Sequence, residues 1–386
     1  MYAAKRPRLQ PVILVLVVAS IFLAACGAQL ADQNWPGIST SDDIVYVAYG
    51  QGVVAIDISE RRPLWSFPEE EAPGLNFFAA PSIGDEQIVL GDYGQSGGFF
   101  SPVATVTIYA LENNGSSGEQ PAQLWSRDDV ATDRIIASPT QAATQVFVGT
   151  ADNRLLALSA SNGELQWEFE TGHSIWAKPL YHEGVVYVAS LDNVLYALRA
   201  DSGDELWRRE LGGSIASSPT LADGVLYVPS FDREIHAFDA DSGDELWKAP
   251  AEDWVWGSPA VGNGAVYYGD VAGNFFAVDA RSGDALWSRS VQGAIQSSPL
   301  YNDGVLYVGS GDIEGEEEER EGQVLALDAD DGSEVWRRQT PAPVFTSPVR
   351  IGNNLVVAFL DVGVLQLLVY ELDSGDLTWE YSPPSE

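Results

Sequence analysis

From Gly213 to Pro250 the chain writes four short apolar runs separated by polar breaks. The stretch GSIASSP is small and apolar, and the Asp223-Gly224 pair leads from it into VLYVPS. Phe231-Asp232-Arg233 breaks the pattern before EIHAFDA, and Asp241-Ser242-Gly243 precedes DELWKA. The runs are rich in β-branched and aromatic side chains and alternate with period two between turn residues, which is strand behaviour. A helical repeat of this length needs a 3.6-residue period over ten or more residues, and the segment has none. The pattern predicts four antiparallel strands joined by three turns.

The same unit recurs along the chain. Trp65, Trp125, Trp167, Trp207, Trp247, Trp287, Trp336 and Trp379 follow one another at 60, 42, 40, 40, 40, 49 and 43 residues. The text before them repeats as ALRADSGDELW, AFDADSGDELW, AVDARSGDALW and ALDADDGSEVW. Four strands repeated at a period near 40 residues predict an all-β, eight-bladed β-propeller of four-stranded antiparallel blades. Blades 1 and 2 depart most from the pattern. Arg61 stands where the motif has Gly, and blade 2 is stretched by insertions at Tyr93–Pro102 and Asn113–Pro121.

Within A-x-D-x-x-S-G-x-x-x-W, the glycine suits a left-handed turn, and Asp239, Asp279 and Asp328 are placed to accept backbone N–H bonds as the third strand ends. The eight tryptophans are expected to dock blade on blade. Losing one such ring costs about 3–5 kcal/mol.

Differences between repeats carry more about function than their agreement. Each first strand lines the propeller axis and carries a proline, and the residues just before that proline lie near the strand's start. The fourth residue before the proline is aliphatic in six blades (Ile135, Ile175, Ile215, Val255, Ile295 and Val344). By alternation, the third residue before the proline faces the opposite way, toward the central channel. That ring reads Gln33, Phe78, Ile136, Trp176, Ala216, Trp256, Gln296 and Phe345, and Lys178 replaces the serine found in most blades. The loops between second and third strands share a face with the blade-to-blade connections. The insertion carrying Phe99 and Phe100 and the acidic run 312–321 in blade 7 both belong to that face. The expected binding face is thus Phe78, Phe99, Phe100, Trp176, Lys178, Trp256 and Phe345. The acidic run lacks the alternating oxygens and glycine turn of a calcium loop and reads as a solvated loop.

The N-terminus changes the picture of compartment. Lys5, Arg6 and Arg8 precede an apolar run from Pro11 to Ala25, too short to span a bilayer comfortably and fitting a signal peptide. It ends in Leu23-Ala24-Ala25-Cys26, similar to a bacterial lipobox, which implies cleavage before Cys26 and its lipidation; Cys26 is the chain's single cysteine. The expected organisation is a lipoprotein signal peptide at 1–25, an acylated cysteine and short tether at 26–34, and the propeller at 35–386. This places the protein outside the cytoplasm, anchored in the outer membrane or on the outer face of the cytoplasmic membrane. Past the leader, 17 basic residues stand against 56 acidic ones. A field of that sign repels nucleic acid and excludes it as a partner.

Little in the chain suggests catalysis. There is no nucleophile elbow and no phosphate loop, and the three histidines (His173, His182, His236) sit at no metal-ligand spacing. No catalytic or metal-ligating residue is assigned.

The repeated motif ending in Trp resembles that of the PQQ-like propeller repeat family, over about residues 35–386. The resemblance implies the propeller fold. The family includes quinoprotein dehydrogenases, the outer-membrane barrel-assembly lipoprotein BamB and sensor domains. The chain is similar to BamB in size, lipobox and blade count. That implies a monomeric, non-catalytic scaffold for envelope proteins, such as a β-barrel assembly complex, needing no cofactor. The alternatives are a ligand-binding or sensor propeller for a quinone-like molecule and, behind it, a PQQ-dependent oxidoreductase. A single cysteine excludes the vicinal disulfide that quinoprotein alcohol dehydrogenases set beside their cofactor.

Overall fold

The structure is a computed structural model that describes residues 36–70, 72, 75–94, 106–313, 315 and 319–383. Cys26, Gln33, Phe99 and Phe100 lie outside these residues. The chain forms eight four-stranded antiparallel sheets, each built from four consecutive strands. Blade 5 is representative, with strands Thr220–Ala222, Val225–Pro229, Glu234–Asp239 and Glu245–Pro250. The two insertions of blade 2 fall where expected. One lies between Gln87–Gly91 and Ile108–Glu112, and the other between Ile108–Glu112 and Gln123–Arg127, where it carries the short 3-10 turn Gly115–Ser117. No helix among the described residues is long and apolar enough to cross a membrane.

The first strands surround the axis, and short side chains tie each to the next. Thr140 Oγ1 donates to Pro179 O at 2.5 Å, and Thr220 Oγ1 to Pro259 O at 2.7 Å. Second and third strands supply most of the core between blades, in clusters such as Tyr187, Leu195, Leu226, Val228 and Phe238. The aliphatic residues counted back from the prolines point into those clusters: Ile135, Ile175, Ile215 and Val344 have no exposed surface.

The motif tryptophans dock on the next blade. Trp207 Nε1 donates to Ala240 O at 3.2 Å, and Trp167, Trp247 and Trp287 make the same bond to Ala200, Ala280 and Ala329. Trp125 and Trp336 bond likewise to Ala160 and Leu372. The ring lies flat on the corner glycine of that blade. Gly243 has φ 71°, and a Cβ added there would stand 2.6 Å from the Trp207 ring. The glycine thus supplies a left-handed corner and bare backbone for the indole at one position. Asp239 holds the corner by accepting from Ser242 N at 2.8 Å.

Closure needs no exchange of strands. Ile38, Val47 and Ile56 of blade 1 pack with Ile351, Val356 and Leu367 of blade 8. Thr346 Oγ1 donates to Pro36 O at 3.0 Å across the seam. The corner facing Trp379 here is Arg61, itself held at φ 55°.

Candidate functional site

The counting rule that placed one side chain per blade toward the axis is met in blades 2 to 8, and its blade 1 residue, Gln33, lies outside the described residues. Phe78, Ile136, Trp176, Ala216, Trp256, Gln296 and Phe345 line one central cavity of about 280 Å³, together with Pro36 and Gly37 of blade 1. The side chains leave this space open. Serines 138, 218, 258, 298 and 347 form a hydroxyl-bearing ring within it, and Lys178 interrupts that ring. Among the described residues the cavity lining contains no carboxylate, in a chain of net charge −36.

Lys178 has no hydrogen-bond or ion-pair partner among the described residues. Its side chain meets the water of the cavity, yet protein surrounds it. The resulting desolvation pushes its pKa below the ordinary lysine value. An ammonium held this way favours an anion that enters the cavity over bulk solvent.

The aromatic residues divide into two sectors at the mouth. On one side Phe78 meets Tyr93 edge-on at 5.0 Å between ring centres, and the Arg134 guanidinium lies 5.1 Å above Tyr93. On the other side Phe231 stacks on Trp254 at 5.0 Å and lies 5.1 Å from Trp256. Trp176 is 37% exposed and Trp254 46%, which is unusual for indoles without a bound partner.

The structure therefore brings Phe78, Trp176, Lys178, Trp256 and Phe345 together. Phe99, Phe100 and Cys26, the expected lipidation site, lie outside the described residues. The docking tryptophans Trp65, Trp125, Trp167, Trp207, Trp247, Trp287, Trp336 and Trp379 lie in fourth strands, away from this cavity. The acidic run of blade 7 closes at its base through Asp312 N to Glu321 O at 3.0 Å, and Arg320 bonds back to Gly315 O.

Sequence reasoning missed Trp254, Phe231 and Tyr93. Trp254 had a usable signal, since it stands two residues before Trp256. Phe231 and Tyr93 sit in loops between second and third strands, where no period assigns a direction. The histidines also separate: His173 and His182 are exposed, whereas His236 is buried among carboxylates.

With this geometry in hand, comparison with known proteins is informative. A family model described as "Outer membrane protein assembly factor BamB" matches residues 115–177, 171–253 and 231–386. No curated protein sequence matches the chain. Among solved structures, BamB from Moraxella catarrhalis superposes with a TM-score of 0.68 at 20% identity, over 86% of this chain and 95% of its own. Sqt1 of Saccharomyces cerevisiae gives 0.69 at 14% identity, over 87% and 94%. The quinohemoprotein alcohol dehydrogenase of Comamonas testosteroni gives 0.63 at 14% identity, over 80% of this chain and 67% of that one. At these identities the structural likenesses speak to the fold.

Proposed function

The chain belongs to the family of the outer membrane protein assembly factor BamB, and from that premise we propose that it is a non-catalytic, membrane-anchored scaffold for envelope protein assembly. One observation carries this reading: the family match runs from blade 2 to the C-terminus, through the blades that supply Trp176, Trp254 and Trp256. Exposed indoles around a polar mouth are the anchors that protein interfaces favour, because they bury much area for few rotatable bonds. Lipidation at Cys26 would hold that mouth near the membrane. Photo-crosslinkers placed at Trp176 and Trp254 in native membranes test the proposal. Recovery of envelope-assembly proteins, lost on competition with unmodified protein, is the expected result. Crosslinks to no protein at either position would overturn it.

A second reading is favoured by Lys178, which has no partner and faces no carboxylate of the cavity lining among the described residues. A small flat anion, a quinone-like molecule included, fits between the aromatic walls with its charge on the ammonium. The described residues supply binding groups there and no carboxylate to act as a base, so this reading is of a sensor or carrier ahead of a PQQ-dependent oxidoreductase. Bound chromophore in the protein purified from its own membranes, lost on Lys178→Ser, distinguishes it from the scaffold.

A further inference from the structure

Blade 5 departs from its neighbours at two positions of one strand face. Where blade 4 has Val194 and Tyr196, and blade 6 has Asn274 and Phe276, blade 5 has Glu234 and His236. Two residues apart on a strand, both side chains leave the same face. They meet Asp232, whose counterparts Asp152 and Asp192 in blades 3 and 4 serve the fold by accepting from a backbone N–H of the preceding connection. Asp232 keeps that task, accepting from Gly212 N at 3.0 Å.

We propose that Asp232, Glu234 and His236 form a binding site for a first-row divalent cation of the zinc type. His236 Nε2 stands 3.0 Å from Asp232 Oδ2 and 4.0 Å from Glu234 Oε2, and the three donor atoms all lie within 4.8 Å of one another. Zinc bonds of about 2.0–2.2 Å to nitrogen and oxygen set tetrahedral donors about 3.3–3.6 Å apart, so Glu234, the most exposed of the three, would close in on the other two as the cation binds. The imidazole is already set for the task. Glu245 Oε1 lies 2.8 Å from Nδ1 and can accept an N–H bond from it, so an entering cation would replace the proton that Nε2 now shares with Asp232. The ring is buried and stacked on Phe238 at 5.9 Å, so its plane is fixed. A pocket of about 410 Å³ opens over the three groups and leaves room for water or a fourth ligand. Imidazole with two carboxylates suits zinc and its neighbours better than calcium or magnesium, which prefer oxygen alone. Lys248 now pairs with Glu234 at 2.7 Å from a half-exposed position, so its ammonium can swing into solvent when the cation enters.

The test is calorimetric titration of the full chain with Zn²⁺, backed by the visible absorption of Co²⁺ as the reporter of a nitrogen ligand. One equivalent of Zn²⁺ is expected to bind in excess of any weak surface uptake. His236→Phe and Glu234→Val, which install the residues of blades 6 and 4, should each remove that equivalent. Glu245→Gln should weaken it by about 10–100-fold, the usual effect of losing an outer-shell partner. Lys248→Met should strengthen it, because Glu234 is then free. Thermal melting verifies that each variant folds, and Glu234 is exposed enough to spare the core. Uptake that is the same in wild type, His236→Phe and Glu234→Val would mean only scattered surface acids are binding, and would overturn the proposal. So would the absence of any saturable equivalent in the folded wild-type protein.

Discussion

Blades 4 and 5 are close to being one sequence written twice, and the places where they part separate frame from cargo. Both use a loop aspartate to hold the connection from the blade before: Asp192 with Gly172, Asp232 with Gly212. Both present that aspartate to the third strand, where blade 4 offers the Tyr196 hydroxyl at 2.7 Å and blade 5 offers His236. The fourth-strand glutamate then changes partner. Glu205 pairs with Arg208, which lies over the Tyr196 ring, whereas Glu245 turns to His236 and Lys248 goes to Glu234. Burial disfavours the charged imidazole, but the bonds to Asp232 and Glu245 prevail and raise the His236 pKa above the ordinary histidine value. Burial together with the bond to Asp192 raises the Tyr196 pKa in turn, which keeps that hydroxyl neutral. One frame thus carries a neutral contact in one blade and a polar cluster in the next.

If the frame is shared, its parts must cost the same in both blades. Trp207→Ala and Trp247→Ala should each destabilise by about 3–5 kcal/mol in chemical denaturation. A loss in one blade with none in the other would break the comparison. Gly203→Ala and Gly243→Ala come next, at about 2–3 kcal/mol each, because alanine must hold a positive φ and push against an indole. Combining Gly243→Ala with Trp207→Ala should cost less than the two separately, since removing the ring relieves the clash.

Blade 3 extends the comparison to pH. Burial opposes ionisation of Asp152, but bonds from Arg154, Thr132 and Thr150 outweigh it and lower its pKa to about 2. A lowered carboxyl stabilises the fold above the unfolded value near 3.9 and loses that contribution as pH falls through about 2, an effect of about 2 kcal/mol. Asp152→Asn should flatten the acid limb of stability between about pH 4 and 2; an unchanged acid limb would remove Asp152 from the account. Smallest of all, Glu234→Val with His236→Tyr rebuilds blade 4 inside blade 5 and should shift stability by under about 1 kcal/mol. A much larger loss would mean that the blade 5 cluster is part of the frame after all.

The frame was legible because it repeats. Eight returns of one tryptophan motif fix the blade number, and alternation back from the prolines of blades 2 to 8 finds the axis-facing side chains from the sequence. The cargo was harder to read. His236 looked isolated because ligand spacing was sought in the forms typical of turns and helices, whereas Glu234 and His236 are joined by the two-residue step of a strand. Phe231 and Tyr93 escaped because loop residues obey no period. The cavity volume depends on side-chain directions in many blades at once. Arg61 was visible as an irregularity, but that it faces Trp379 across the closing seam follows only from the ring.

The way the circle shuts has a consequence for the order of the chain itself. Every blade is drawn from a single contiguous stretch, and the last meets the first through packing and hydrogen bonding such as that of Thr346 to Pro36. A short linker from the outermost strand of blade 8 to the innermost strand of blade 1 would copy the connection already made between every other pair of neighbours. The ring has no obligatory beginning. Circular permutants opened at any blade-to-blade connection should reach the same structure, which would let the chain ends be moved around the mouth one blade at a time.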